Sequence, residues 1–231
     1  MSTPGTALER KIDSMLELQN ELNSAINKNW ITANYPFLRA AFVEAAEALD
    51  HHGWKWWKSQ TPDYFQLQIE LIDILHFYLS DTLVETYGNI QRSKELIAQE
   101  IDKSSVIFNN KEHIIQDLDI LDLLELLGAM AALRTRSFAI LDRLMKLCSL
   151  TWDEAYAQYI SKNILNLFRQ ANGYKDGSYI KLWEGEEDNV WLERIIKSSD
   201  MESADFSFEV RKKLQEKYAS IIKQESKKPP K

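Results

Sequence analysis

Apolar residues recur every three or four positions along most of this chain, which is the spacing of amphipathic α-helices. In the first predicted helix, from Thr6 to Lys28, one face holds Leu8, Ile12, Met15, Leu22 and Ile26. The same pattern predicts helices over residues 6–28, 36–49, 61–87, 91–102, 117–147, 151–172, 188–197 and 203–224. No run alternates like a strand, and residues 108–113 are predicted to form a loop. We therefore predict an all-α fold built around a helical bundle.

Residues that favour helix ends sharpen these boundaries. Thr151 and Glu154 have the spacing of a capping box, in which each side chain satisfies a backbone N–H of the other. Asn172-Gly173 is a favourable left-handed stop for that helix. In the long apolar segment 117–147 we predict a kink near Gly128.

Composition supports long helices, because the 231 residues include only 7 glycines and 5 prolines. The net charge of −7 makes the chain a poor binder of nucleic acid polymers or anionic membranes. The single cysteine, Cys148, excludes an internal disulfide framework and is predicted to be a core residue. With no apolar leader and no run of about 18 apolar residues, we expect a cytoplasmic protein without membrane association.

Two pairs of acidic residues lie on helices that have little room for a solvated face. Glu44 and Glu47 are about 60° apart around the second helix, and Glu70 and Asp73 repeat that spacing on the third. Their neighbours are almost all apolar, so the carboxylates should lie inside or at the rim of a core. Burying unpaired carboxylates together is costly unless a cation joins them.

An all-oxygen site of this charge suits a hard divalent ion, with Mg²⁺ preferred to Mn²⁺. An alternative is that the four acids cap helices or pair with arginines distant in sequence, such as Arg134, Arg136 and Arg143. A di-iron bundle is a weaker alternative, because it needs Glu-x-x-His on two helices and only Asp73-x-x-His76 is similar.

Further segments accompany the acidic pairs in a fixed order. They are Gln19-Asn20-Glu21-Leu22-Asn23, Gly53-Trp54-Lys55-Trp56-Trp57-Lys58, Asn172-Gly173-Tyr174-Lys175-Asp176-Gly177-Ser178-Tyr179-Ile180-Lys181, and Trp183-Glu184-Gly185-Glu186-Glu187-Asp188-Asn189. Together with Glu44-x-x-Glu47 and Glu70-x-x-Asp73, they resemble the motifs of the dimeric, all-α dUTPase family, within the all-α nucleoside triphosphate pyrophosphatases. The resemblance spans residues 19–189.

This resemblance implies Mg²⁺-dependent hydrolysis of dUTP, and also of dUDP, to dUMP. Its metal ligands match Glu44, Glu47, Glu70 and Asp73, and Glu47 is the best candidate to orient the attacking water. Its uracil-binding residues match Gln19, Asn23 and Trp57, with His76 and Phe77 as candidate walls of the base pocket. Without the resemblance, Gln19 and Asn23 would be read as exposed polar residues, and Phe77 equally well as core. Trp54 and Trp56 are interpreted as core or interface anchors.

The glycine-bearing segment 172–189 matches the sugar and phosphate contacts of the family. The candidates are Asn172, Lys175, Tyr179, Lys181 and Asn189, to which we add Lys58. We expect this segment to act as a mobile lid, the alternative being an ordinary surface loop. Ile180 and Glu186 depart from the basic residues that the family often has, which weakens the match around the phosphates.

We therefore predict one catalytic domain over residues 1–225, followed by a disordered basic tail over 226–231. The apolar segment Leu118–Leu133 is a candidate interface for a homodimer. Two alternatives stay open at this point: a related pyrophosphatase acting on dCTP or a modified nucleotide, and a helical binding protein without catalytic activity.

Overall fold

The structure is a computed structural model that describes residues 7–200 and 205–225. The chain divides into two compact units, Met1–Tyr156 and Ala157–Lys231. Helices dominate both, which confirms the all-α class. The predicted tail 226–231 lies outside the described residues. In the part of the chain that the structure describes, none of the helices combines the length and the hydrophobicity of a membrane span.

The first unit contains most of the helices. They are α1 (Ala7–Ile26), α2 (Phe37–His52), α3 (Tyr64–Glu85), α4 (Ile90–Ile101), α5 (Ile120–Ala132), α6 (Phe138–Leu147) and the start of α7 (Trp152–Ala171). Strands β1 (Ser105–Phe108) and β2 (Lys111–Ile114) form an antiparallel hairpin. The second unit holds the rest of α7, the short strands β3 (Leu182–Trp183) and β4 (Glu186–Glu187), and helices α8 (Asp188–Lys197) and α9 (Phe206–Glu225).

Small side chains let α2 lie close to its neighbours α3 and α5. Ala41, Ala45 and Ala48 are buried on one face of α2. A Cβ atom added at Gly128 of α5 would lie 3.5 Å from the Ala45 Cβ, which shows how near the two backbones run. Gly128, near which we predict a kink, lies inside the uninterrupted helix α5, and the break in the segment 117–147 comes after Ala132.

The long helix predicted over 117–147 is two helices. Arg134 adopts a left-handed conformation with φ of 63°, and the side chain of Ser137 accepts a hydrogen bond from the Ile140 N–H at 3.3 Å. A left-handed residue ends α5 and a serine cap begins α6, both familiar helix-end devices. Because the apolar periodicity continues across the break, the sequence pattern predicts one helix where the structure has α5 and α6.

The loop predicted over 108–113 comprises the last residue of β1, the turn and most of β2. Asn109 and Asn110 have φ of 51° and 59° and occupy the two turn positions, where asparagine tolerates a left-handed backbone. Val106 and Ile107 supply the β-branched residues of the first strand. The expectation that the chain has no strands is therefore wrong locally.

Other predicted helix ends are confirmed. The Glu154 N–H donates to Thr151 Oγ1 at 3.2 Å and the Thr151 N–H donates to Glu154 Oε2 at 2.8 Å, which completes the capping box. Gly173 follows α7 with φ of 89°. Cys148 is buried, as predicted, and burial raises the pKa of its thiol to about 11.

Candidate functional site

Carboxylates from two neighbouring helices meet at the rim of the first unit. Glu44 and Glu47 lie one turn apart on α2, and Glu70 lies on α3, which packs against α2. One carboxylate oxygen from each lies within 4.8 Å of those of the other two. Exposure is graded across the cluster, because Glu70 is only 6% exposed, Glu44 is half-buried and Glu47 is exposed.

Asp73, the fourth predicted ligand, follows Glu70 by one turn of α3 and is half-buried. Among the described residues, the grouping that is close enough to hold one ion contains the three glutamates and not Asp73. The structure thus brings three of the four candidate carboxylates together.

The donor set of this cluster fits a hard divalent cation. All three candidate ligands are carboxylates. The hard cations Mg²⁺, Mn²⁺ and Ca²⁺ prefer such oxygen ligands to softer nitrogen or sulfur ligands. α3 is apolar around most of its surface, so Glu70 gains little from solvent and benefits from a positive charge nearby.

His51, one of the nearest basic residues after Glu47 in the sequence, also reaches the cluster. Its Nε2 atom lies 3.4 Å from Glu70 Oε1. His51 follows Glu47 by four residues on α2, a spacing that places both on one helix face and that could have indicated the contact.

Arg136, one of the arginines considered as a partner for the acidic pairs, is engaged elsewhere. Its guanidinium lies 2.6 Å from Asp81 Oδ2 and also contacts Glu85 and Glu100. The proposal that Arg136 neutralises the metal candidates is therefore wrong.

The two candidate amides for base recognition are buried. Gln19 and Asn23 lie one turn apart on α1 and are 3% and 7% exposed, so the alternative of two exposed polar residues is wrong. Gln19 Nε2 donates to Asn23 Oδ1 at 3.1 Å. Gln19 Oε1 lies 2.8 Å from Nδ1 of the buried His76, a residue of α3.

The carboxylate cluster and the amide pair share helix α3. Glu70 belongs to the carboxylate cluster, and His76 contacts the amide of Gln19. These two residues of α3 are six positions apart, which corresponds to about 9 Å along the helix axis. Phe77, the next candidate wall of a base pocket, is half-buried.

Three indoles form an exposed group in the loop after α2. Trp54, Trp56 and Trp57 are 42%, 87% and 59% exposed, and Trp57 makes edge contacts with both others. Trp54 and Trp56 are therefore not core residues, because this short loop lies outside the helical core, and their interpretation as interface anchors stays a prediction. The Trp54 indole and Lys55 beside it lower the pKa of Asp50. Lys58 is exposed in the same loop.

In the second unit, the candidate sugar and phosphate residues fall into two groups. Lys175 and Lys181 are exposed, and Lys181 Nζ lies 3.1 Å from Glu187. Tyr179 is buried and its hydroxyl donates to Asp188 Oδ2 at 2.8 Å. Burial, together with the charge of Asp188, raises the pKa of Tyr179, so its phenol stays protonated. Asn172 Nδ2 donates to the Phe168 carbonyl at 2.8 Å.

Two buried cationic residues of α7, which the sequence did not indicate, contact the candidate phosphate residue Asn189. Asn189 Oδ1 accepts hydrogen bonds from Lys162 Nζ at 3.0 Å and from Arg169 Nη2 at 3.1 Å. Arg169 also binds both oxygens of the fully buried Asp188. Lys162 and Arg169 are seven residues apart, two helical turns, and that spacing on one face was the available signal.

The segment expected to be a mobile lid is anchored in the second unit. Tyr179 and Trp183 belong to the hydrophobic cluster of that unit, together with Phe168 and Tyr218. The Tyr218 ring stacks on Tyr179 at 5.1 Å, and the Ile180 N–H donates to the Tyr218 hydroxyl at 3.1 Å. The turn over 174–178, which carries Lys175, is exposed.

Packed helices with an oxygen-only carboxylate cluster at their rim and buried amides on an adjoining helix fit a helical nucleotide hydrolase that binds a divalent metal. Within that class the chain belongs to the all-α dUTPase family, because the family model described as dUTPase matches residues 11–174. The protein is accordingly a dUTP diphosphatase, of a family that generally uses a divalent metal. The match covers both acidic pairs and the amides, and ends before Lys175, Tyr179, Lys181 and Asn189. No curated protein matches the chain.

Proposed function

We propose that this enzyme hydrolyses dUTP to dUMP and pyrophosphate, and dUDP to dUMP and phosphate, with Mg²⁺ as its ion. The observation that carries the proposal is the approach of Glu44, Glu47 and Glu70 within 4.8 Å on α2 and α3, together with the buried amides of α1, one of which contacts His76 of α3. Residues 1–225 would act as one catalytic domain.

Glu44, Glu47 and Glu70 would hold the metal, with Asp73 as a fourth carboxylate one turn along α3. Such an ion supplies charge neutralisation for phosphate oxygens and acidity for a coordinated water. Glu47 is the exposed member of the cluster, so it is best placed to orient the attacking water and accept its proton. Glu44 would support it from the preceding turn of α2.

The base would be read by Gln19 and Asn23, whose amides each carry a donor and an acceptor, as the uracil edge does. His76 contacts Gln19 directly, and Phe77 and Trp57 offer aromatic surface for the base. Contacts to the sugar and phosphates would come from Asn172, Lys175, Tyr179, Lys181, Asn189 and Lys58. Lys162 and Arg169, which donate to the side chain of Asn189, would hold that residue in place.

A nucleotide panel tests the proposal. Purified protein is incubated with dUTP, dUDP, dCTP and dTTP, with Mg²⁺, with Mn²⁺ or with a chelator. We expect dUTP and dUDP to be consumed with release of dUMP, no turnover in chelator, and Mg²⁺ to support more activity than Mn²⁺. Preferential consumption of dCTP would favour the related pyrophosphatase instead, and activity that survives chelation would contradict the metal site.

We further propose that the enzyme is a homodimer. The segment first considered as its interface, 118–133, buries Leu123, Leu124, Leu126 and Leu127 within the first unit. α2 instead leaves Phe42 and Val43 44% and 45% exposed. Beside them is a shallow apolar cavity of about 280 Å³ lined by Tyr35, Pro36, Phe37, Arg39, Ala40 and Val43. A second copy of the chain is the occupant that we propose for this surface.

For this surface we expect Val43→Lys to shift the protein from dimer to monomer in sedimentation velocity. The reason is that a lysine at the centre of an apolar contact would have to be desolvated. Ile107→Lys, a matched change at a 77% exposed position of the β1–β2 hairpin, should leave the dimer intact. A monomeric wild-type protein would contradict the proposal.

A further inference from the structure

Four buried side chains form a closed ring of hydrogen bonds between α1 and α3. The Ser80 hydroxyl donates to the main-chain carbonyl of His76 at 2.9 Å, and Asn23 Nδ2 donates to Ser80 Oγ at 2.9 Å. Gln19 Nε2 donates to Asn23 Oδ1 at 3.1 Å, and Gln19 Oε1 lies 2.8 Å from His76 Nδ1. The ring thus begins and ends at His76, and each member is less than 8% exposed.

The ring can run in only one direction. A main-chain carbonyl can only accept, so it claims the single hydrogen of the Ser80 hydroxyl. Ser80 Oγ must then accept from Asn23, which places the amide nitrogen of Asn23 toward Ser80 and its oxygen toward Gln19. The same logic turns the Gln19 oxygen toward His76, whose Nδ1 therefore carries the proton.

Amide direction matters because uracil and cytosine differ by a reversal of hydrogen-bonding pattern. Uracil presents a donor at N3 and an acceptor at C4, whereas cytosine presents an acceptor and a donor at the same two positions. An amide that could rotate by 180° would fit either base. An amide held in one direction places its donor against a donor of the wrong base and its acceptor against an acceptor. Buried polar atoms are then left unpaired.

We propose that Ser80 is a positioning residue that fixes the amides of Asn23 and Gln19 in one direction and so makes the site select uracil over cytosine. This inference rests on the proposed reading of the base by Gln19 and Asn23. Ser80 acts through Asn23 and contacts neither the phosphates nor the carboxylate cluster in the chemistry proposed above.

The test compares kcat/KM for dUTP and dCTP in the full-length enzyme and in Ser80→Ala. We expect the ratio of the two values to fall by about tenfold, the effect of losing one orienting hydrogen bond. The fall should arise from a higher KM for dUTP and a lower KM for dCTP, with kcat for dUTP nearly unchanged. Ser80→Thr keeps the hydroxyl and should restore the ratio.

Thr82→Val provides the matched control on the same helix. The Thr82 hydroxyl donates to the Tyr78 carbonyl at 2.8 Å, which is the same bond to the residue four positions earlier, but Thr82 is outside the ring. This variant should keep the wild-type ratio. If Ser80→Ala does not fold, Ser80→Cys retains the volume with a weaker acceptor and should show the same direction of change.

Three results would overturn the inference. One is an unchanged dUTP-to-dCTP ratio in a folded Ser80→Ala enzyme. Another is an equal loss for both nucleotides, or the same loss in Thr82→Val, since either indicates general damage to α3. A wild-type enzyme without preference for dUTP over dCTP would instead contradict the uracil site itself, and this inference with it.

Discussion

Glu47→Gln is expected to lower kcat for dUTP about 1,000-fold, within the range lost when a positioned proton acceptor is removed. The glutamine keeps the size of the side chain but does not accept the proton of an attacking water. Because Glu47 is exposed at the rim of α2, the substitution should leave the melting temperature within about 2 °C of wild type, as surface changes usually do. Steady-state release of pyrophosphate measures the loss.

Two companion variants separate the roles of the carboxylates. Glu70→Gln removes the buried ligand, so the concentration of Mg²⁺ needed for half-maximal activity should rise and the thermal stabilisation by Mg²⁺ should fall. Glu125→Gln removes an exposed charge from α5, the neighbour of α2, and should behave as wild type. Full activity in Glu47→Gln would remove this residue from the chemistry.

The second large effect is expected on stability, from Arg136→Met. The Arg136 side chain is only 9% exposed and contacts Asp81, Glu85 and Glu100. Removing one partner of a buried ion pair typically costs about 3 kcal/mol, because the remaining charges lose their counter-ion. For a chain of this size that corresponds to a fall in melting temperature of roughly 6–12 °C.

The same cluster predicts a dependence on pH. Burial raises the pKa of Asp81 and of Glu100, and Arg136 opposes that rise. A carboxylate with a raised pKa binds more protons in the folded state, so its contribution to stability falls as pH rises above its ordinary pKa. Without Arg136 this penalty grows, so the loss in Arg136→Met should be smaller at pH 5 than at pH 7.5.

Urea unfolding at the two pH values measures both effects. Arg134→Met is the control, because Arg134 is an exposed arginine two residues earlier. We expect it to change the free energy of unfolding by less than about 0.5 kcal/mol. An equal loss at pH 5 and pH 7.5 would show that Arg136 contributes through packing and not through the carboxylates.

Much of the local structure could be predicted because its causes are local. The spacing of apolar residues and the residues that favour helix ends predicted α2, α3 and α7. The capping box at Thr151 could be recognised from four consecutive residues. The acidic pairs could be found in the same way, since carboxylates surrounded by apolar residues within one helix are visible in the sequence. Family motifs then connected those pairs to nucleotide chemistry.

Hydrophobic spacing did not predict the boundary of a helix where the spacing continues unchanged into the next helix. The break at Arg134 lies between two apolar helices, so hydrophobic spacing ran straight through it. The β1–β2 hairpin has only four residues in each strand, too few for an alternating pattern to stand out. The Asn109-Asn110 pair, which favours a tight turn, indicated the hairpin better than the pattern of its strands did.

The sequence by itself determined the helices, their caps and the carboxylates that they present, because these follow from neighbours within one or two turns. Only the tertiary structure decided that Glu70 joins Glu44 and Glu47, and that Asn23 meets Ser80, 57 residues away. It also turned Tyr179 inward and left the tryptophans of the α2–α3 loop exposed. Those outcomes depend on which faces of separate helices pack together, and a hydrogen bond between distant residues leaves no periodic trace along the chain.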